Sequence, residues 1–380
     1  MNYLFFLGRT VELCFAELEV VLERHGHVSG ISRGSGNIAY VTEINIDVSS
    51  MISVLGGTKK IAVSLSKHDI SSIEDAILVC VEDLAQNSHG TKVEFGVSVI
   101  GSSEEIDAEK VIKKKLKELG VKARFIRGGE DGLNAAQIKH NKALDYHIIQ
   151  EQEKYIVAKT LVVQDVDDWS KRDYEKPYRD AKRGMLPPKL ARMIVNLSIG
   201  NALPEKSIVL DPFCGSGTVL MEALMLGASS VGSDIAQEAV HGAGKNLFWL
   251  KEQWHVKQEY SLSVQDAVHI SKQTIGRSVT SVATEPFLGK QNPSIDAAKN
   301  ILKGLEKMYL GFLKNLTLIL EPGSNVVMIF PQLTFGKSVK NMHSLIDRLE
   351  SLGYTREKGP YLYTRPHTIV QREIYLLRKS

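Results

Sequence analysis

Residues 209–218 read Val209-Leu210-Asp211-Pro212-Phe213-Cys214-Gly215-Ser216-Gly217-Thr218. Apolar residues from Ile208 to Leu210 run into an acid, a glycine-rich turn follows, and a helix is expected to open at about Val219. A strand that ends in a tight glycine turn at a helix N-terminus is a cradle for a nucleotide-like ligand: the glycines let the backbone approach, and the first helical amides point at the ligand. The dinucleotide fingerprint is absent, since Leu220 stands where the third glycine of Gly-x-Gly-x-x-Gly would fall. No Gly-Lys-Ser/Thr follows either, which excludes an ATP-binding P-loop.

Downstream of the cradle, strand and helix patterns alternate. Strands are expected at 207–211, 230–234, 261–266, 279–284 and 325–330, with helices at 219–226, 238–249, 297–318 and 339–352. Two further runs, 359–364 and 368–377, close the chain. This order predicts an α/β fold, a doubly wound, Rossmann-like parallel sheet with an antiparallel hairpin on its edge. Upstream, residues 1–165 read as α+β, with strands at 3–8, 37–41, 61–65, 92–100, 155–163 and from 123, and helices at 11–25, 72–86, 107–119 and 135–141. Residues 165–188 lack periodicity and end in Pro187-Pro188, which suits a linker delivering the chain to a helix with proline near its first position. The expected divisions are 1–70 (an α+β subdomain), 71–165 (a second small subdomain), 166–187 (a basic linker) and 188–380 (the doubly wound domain).

Length allows two or three domains, and no apolar run reaches the length of a membrane span. Cys14, Cys80 and Cys214 are spaced for neither a zinc site nor a disulfide framework, so reduced thiols in a cytoplasmic protein and no metal are expected. Net charge is only +3, but local charge is uneven. Eight Lys/Arg against three acids lie between Lys171 and Arg192, including Arg179 and Arg183. A second cluster holds Lys113, Lys114, Lys117, Arg124 and Arg127, with glutamates interleaved among its lysines, and Lys139 follows it. Such clusters either neutralise phosphates or form solvated helix faces.

The Asp-Pro-Phe-Cys-Gly-Ser-Gly-Thr cradle resembles the first motif of S-adenosylmethionine (SAM)-dependent methyltransferases. That resemblance implies acids at successive strand ends. Asp211, with Phe213, Gly215, Gly217 and Thr218, would serve the methionine end. Asp234, 23 residues on and followed by Ile235, would accept the two ribose hydroxyls, and Asp266, followed by Ala267, would face the adenine amine. Each acid alone would read as a turn or cap residue; three in order do not.

The fourth strand should then carry the chemistry. Amino-group methyltransferases place Asp/Asn-Pro-Pro-Tyr/Phe there, and this chain reads Thr284-Glu285-Pro286-Phe287-Leu288-Gly289. A nucleobase amine is a poor nucleophile; an acceptor and a backbone carbonyl can hold its hydrogens, and an aromatic ring can stack the extruded base. Glu285 and Phe287 suit those parts. Two registers are open: matching Gly289 puts Glu285 at the acid position, and matching Phe287 puts Thr284 there.

Four further segments resemble the THUMP-domain RNA methylases that make N2-methylguanosine in tRNA. They are Leu55-Gly56-Gly57-Thr58-Lys59-Lys60-Ile61, Phe95-Gly96-Val97-Ser98-Val99, Ala136-Gln137-Ile138-Lys139-His140-Asn141-Lys142, and Tyr178-Arg179-Asp180 through Arg183-Gly184-Met185-Leu186-Pro187-Pro188-Lys189-Leu190-Ala191-Arg192. The resemblance implies a ferredoxin-like N-terminal piece, a THUMP domain that grips tRNA, SAM as cofactor, guanine N2 as target and Pro188 beside the SAM site. A small activator protein is a partner it leaves open. Two other readings stand beside it: an adenine-N6 methyltransferase, and an RNA-binding protein that keeps the fold without catalysis.

Overall fold

The computed structural model describes all residues except 1, 28, 43–46, 67, 89–91, 104–105, 181–184 and 367. It contains two compact units. One comprises Met1–Val11, His27–Val54 and Thr58–Asp168; the other comprises Glu12–Gly26, Leu55–Gly57 and Trp169–Ser380.

The first unit is built on β1 (Tyr3–Leu7), β2 (Ile31–Arg33), β3 (Ile38–Val41), β4 (Thr58–Ser64), β5 (Val93–Ile100), β6 (Ala123–Phe125), β7 (Leu144–Glu151) and β8 (Lys154–Val163). These form one sheet in the order β2-β3-β1-β4-β8-β7-β5-β6. Residues 1–70 and 71–165 therefore share a sheet, because β4 pairs antiparallel with β8. Helices Ile73–Gln86 and Ala108–Glu118 pack Ile73, Ile77, Leu84, Ile112 and Leu116 into the core with Phe95 and Tyr146. Strand β7 has no counterpart in the sequence reading, because its Asp145 and His147 are fully buried polar residues in an apolar pattern. They are satisfied from within the unit: Lys60 Nζ donates to Asp145 Oδ2 at 2.6 Å, Thr160 Oγ1 donates to the same oxygen at 2.8 Å, and His147 Nδ1 lies 2.9 Å from Ser98 Oγ.

The second unit holds β9 (Ile208–Asp211), β10 (Ser229–Asp234), β11 (Tyr260–Val264), β12 (Ser281–Thr284), β13 (Asn325–Phe335), β14 (Ser338–Lys340), β15 (Tyr354–Tyr363) and β16 (Val370–Lys379). Their order is β11-β10-β9-β12-β13-β16-β15, with β14 folded back on β13. Strands β9 to β13 run parallel, and β16 alone inserts antiparallel between β13 and β15. The helix expected over 339–352 is replaced by β14, a short helix His343–Ile346 and a 3-10 turn Glu350–Leu352. Strand β13 extends beyond its expected end, so Val339 pairs with Thr334 and leaves the helical register.

Residues 166–187 were expected as a linker, yet they contain a helix Val166–Ser170 and a π-turn Lys171–Glu175. Several of their cations point inward. Glu222, on the helix Thr218–Met225, forms ion pairs with Arg172 Nε at 3.0 Å and with Arg192 Nη2 at 2.6 Å, with all three side chains buried. The Trp169 ring covers the Arg172 guanidinium at 4.2 Å. Lys176 Nζ donates to Thr218 Oγ1 at 3.1 Å. Arg172, Lys176 and Arg192 are therefore internal ties, not phosphate contacts.

The same unit draws in part of the N-terminal region expected to stand apart. Buried Glu17 accepts the amides of Gly56 and Gly57, both at 2.8 Å, and Asn196 Nδ2 at 2.7 Å. A Cβ at Gly56 would lie 2.4 Å from Lys189 O, so this glycine is required by close approach to the helix Pro188–Ile199.

All three tryptophans, Trp169, Trp249 and Trp254, lie in the second unit, so their fluorescence reports its unfolding. Glu222→Gln leaves two guanidiniums buried without a countercharge and should cost about 3–5 kcal/mol. A shift of the fluorescence-monitored urea midpoint to lower denaturant checks this; an unchanged midpoint contradicts it.

Candidate active site

The parallel strands aim their carboxyl ends at one edge of the second unit, and the predicted acids sit there in order. Asp211 ends β9, Asp234 ends β10, Asp266 follows β11, and Glu285 follows β12. They line one cavity of about 600 Å³ together with Phe213, Gly215, Thr218, Ile235, Ala267, Pro286 and Phe287.

The cradle is shaped by its backbone. Gly215 and Gly217 have φ of +50° and +81°, a region that favours glycine. A Cβ at Gly215 would meet no protein atom within 4 Å, so the loop backbone lies bare at the cavity wall. Gly217 is the helix N-cap, faces Ala243 and does not line the cavity. Asp234 ties the loop to β10: Oδ2 accepts Gly215 N–H at 3.1 Å and Oδ1 accepts Ala236 N–H at 2.9 Å. Asp266 caps a 3-10 turn by accepting Val268 N–H at 3.0 Å, and Ala267 is buried behind it.

Asp211 is fully buried. Thr284 Oγ1 donates to it at 2.7 Å and Phe213 N–H at 3.2 Å. Desolvation outweighs these donors, and with Asp234 and Glu285 nearby it pushes the Asp211 carboxyl up to about 7. Burial also pushes the Cys214 thiol well up, which makes it a small side chain filling the turn.

Thr284 departs from expectation. Its side chain is buried against Asp211 and does not line the cavity, whereas Glu285 does. Gly289 has φ +92°, and a Cβ on it would lie 2.9 Å from Ile301, so the turn after Phe287 requires a glycine there. Phe287 exposes its ring while Tyr309 donates to its carbonyl at 2.8 Å, fixing the loop. Pro188 is buried at the start of its helix and does not line the cavity; Met185 and Leu186, just before it, do. The sequence reading missed Arg365 and Arg372, which enter from the β15–β16 hairpin; no local motif marks them. Arg372 Nε donates to Glu285 Oε1.

The basic residues fall in two places. Lys113, Lys114 and Lys117 lie exposed on the helix Ala108–Glu118, Arg124 lies on edge strand β6, Arg127 O accepts from Gln137 Nε2 at 2.9 Å, and Lys139 lies on the helix Ala135–Asn141. Lys113, Arg124 and Lys139 each meet a surface carboxylate, on Glu109, Glu94 and Asp167. Arg179 is exposed in the second unit, and Arg183 lies outside the described residues. Among the described residues no group of three or more His, Cys, Asp or Glu is arranged to hold a metal ion, and no helix is long and apolar enough to cross a membrane.

A doubly wound sheet with acids at successive strand ends around a glycine cradle defines a Rossmann-like methyltransferase fold. Residues 176–350 match a family model described as an RMKL-like methyltransferase domain, and residues 54–245, half of the chain, match one described as a DNA methylase. The second model spans half of the chain, which therefore belongs to that methyltransferase family. It is 31% identical over 167 residues to the tRNA (guanine(10)-N2)-dimethyltransferase of Pyrococcus abyssi, covering 43% of this chain and 48% of the relative. It is 27% identical over 203 residues to the enzyme of the same name from Methanothermobacter thermautotrophicus, covering 53% and 52%. The chain thus spans about half the length of the curated relatives it matches. TrmN from Thermus thermophilus shares the fold over 100% of both chains, with a TM-score of 0.57 at 16% identity.

The Asp211 shift makes a prediction with a definite sign. An unfolded carboxyl titrates near its ordinary 3.8, whereas the folded one titrates near 7. Between these values the folded state keeps a proton the unfolded state has released, so stability falls as pH rises through the window. Asp211→Asn removes this penalty. It should stabilise the second unit at pH 8 by up to roughly 4 kcal/mol and give little gain at pH 4, read by tryptophan fluorescence in urea.

Proposed function

We propose that this chain is a SAM-dependent methyltransferase acting on an exocyclic amino group of a tRNA base, guanine N2. The observation that carries the reading is the convergence of Asp211, Asp234, Asp266 and Glu285-Pro286-Phe287 on one cavity. The residues fit the cofactor: a bare glycine loop, a buried carboxylate able to face an ammonium, and an acid at the end of β10 able to accept two hydroxyls. When bound, SAM supplies an electrophilic methyl group. Glu285 accepts an amine hydrogen and aims the nitrogen lone pair, and Phe287 stacks the extruded base. Enclosure by Met185, Leu186 and Met308 limits water at the reacting atoms.

Methylation of an exocyclic base amine does not distinguish RNA from DNA, so the substrate rests on similarity. The curated relatives named for tRNA guanine-10 favour tRNA. In this reading residues 71–165 form a THUMP-like RNA-binding region whose Lys113, Lys114, Lys117, Arg124, Arg127 and Lys139 meet phosphates, helped by Arg179 and Arg183. The protein works in the cytoplasm, where tRNA is its partner. The DNA methylase match favours a second reading, adenine N6 in DNA.

Incubation of the purified chain with methyl-labelled SAM and tRNA, or DNA in parallel, followed by nucleoside digestion, decides between them. Label in N2-methylguanosine supports the proposal and, without added protein, shows that no activator is required; label only in N6-methyldeoxyadenosine replaces it with the second reading. Asp234→Ala should weaken SAM binding at least about 10-fold by calorimetry, the loss of about 1.4 kcal/mol expected for a charged hydrogen-bond acceptor. Glu285→Gln should leave SAM affinity within about 2-fold and lower kcat. Equal loss of affinity in both variants would place Glu285 in the cofactor site instead.

A further inference from the structure

Arg372 is a cation that no cradle motif requires, yet it lies at the reacting end of the cavity. Its placement follows from topology. Strand β16 is the antiparallel insertion, so it starts where the parallel strands end. Arg372 lies near that start, paired with Pro331 of β13, and its side chain is only 9% exposed. Its guanidinium Nε binds Glu285 Oε1, and among the described residues Glu285 Oε2 receives no protein donor. The hairpin around it is fixed. Gln371 Nε2 donates to Thr368 O at 2.6 Å, and its Oε1 accepts Arg365 N–H at 2.8 Å. Arg365 Nη2 in turn donates to Met185 O at 3.1 Å.

A glutamate has three side-chain torsions, one more than the aspartate or asparagine usual at this motif position. Unrestrained, it would sample rotamers that point its carboxylate away from the methyl donor. An arginine donor on one oxygen removes that freedom and keeps the other oxygen available.

We propose that Arg372 is a positioning residue for amine methylation: by holding Glu285 Oε1 it fixes the carboxylate so that Oε2 accepts a hydrogen of the substrate amine. This rests on the methyltransferase reading above. Asp211, Asp234, Asp266 and Arg365 are the other charged residues lining the cavity, and none takes Arg372's place on Glu285. Arg372 acts through Glu285 and does not touch the cofactor in this scheme.

The test compares wild type, Arg372→Gln, Arg372→Lys, Glu285→Gln and the Glu285→Gln/Arg372→Gln double variant. Labelled-methyl incorporation into RNA and DNA is measured with kcat and KM separated, alongside SAM affinity by calorimetry and thermal midpoints. Misplacing a reacting group by about an ångström costs on the order of 100-fold, so Arg372→Gln should lose roughly that in kcat with SAM affinity within about 2-fold. Arg372→Lys should recover part of the loss. The double variant should be no slower than Glu285→Gln alone, because the arginine has nothing left to position. A kcat for Arg372→Gln within about 3-fold of wild type overturns the proposal, as do losses that multiply in the double variant. If Arg372→Gln fails to fold, Arg372→Lys and the double variant carry the same comparison. The labelled nucleoside in wild type tests the substrate reading separately: N6-methyldeoxyadenosine would sink guanine as target while the variant ratios still judge Arg372. Absence of label in any nucleoside with wild type overturns both.

Discussion

Glu222 is a carboxylate with no route to water, and the second unit is organised around satisfying it. It sits one turn into the helix that the glycine cradle opens. Arg192 reaches it from the helix Pro188–Ile199 and Arg172 from the turn that precedes it, so one charge fixes three segments. Such a triad adds little net stability, since desolvating three ions offsets most of their attraction. Its effect is on arrangement: any packing that separates the segments leaves a buried ion alone. Two further hydrogen-bonded ties extend the same order to the loop. Lys176 binds Thr218, and Asn246 Nδ2 bridges Tyr178 O and Ser216 O. A Cβ at Gly242 would lie 2.1 Å from the Tyr178 ring, so that glycine lets the incoming segment lie flat on its helix.

With the cradle held from behind, its front can carry groups that would otherwise be displaced. Asp211, Asp234 and Glu285 are three carboxylates lining one cavity, and burial, helped by their mutual repulsion, raises the Asp211 carboxyl toward neutrality. An isolated loop would relieve this by moving apart. Here β9, β10 and β12 pair as neighbours and hold their ends together. A cation bound among these carboxylates would offset their repulsion.

Periodic segments and the cradle were legible because their signal is local. The run from Val209 to Thr218 specifies strand, turn and helix within ten residues, and the acids at 211, 234 and 266 follow at strand-helix-strand intervals. What escaped reading depends on partners far along the chain. Arg172, Lys176 and Arg192 look like a basic surface until Glu222 and Thr218 are placed against them. Strand β7 looks too polar for a core until Lys60 meets Asp145, 85 residues away. Val339 carries a helical apolar pattern, but pairing with β13 claims it first. A charge is informative from sequence only when its partner lies within a turn or two.

The fourth-strand motif shows how a departure from a pattern can be completed elsewhere. Replacing a short acid with Glu285 lengthens the side chain and loosens its aim, a change that alone would argue against chemistry. Arg372 lies 87 residues later, on the strand whose reversed direction brings its start to the same edge of the sheet. In the proposed reading, the arginine that pins the longer acceptor restores the aim that the extra torsion would lose. Neither half is interpretable alone: Glu285 without Arg372 is a degraded motif, and Arg372 without Glu285 is an unexplained buried cation. The antiparallel strand is what makes the pairing geometrically available, since a parallel strand in its place would present its carboxyl end, and a different residue, to the cavity.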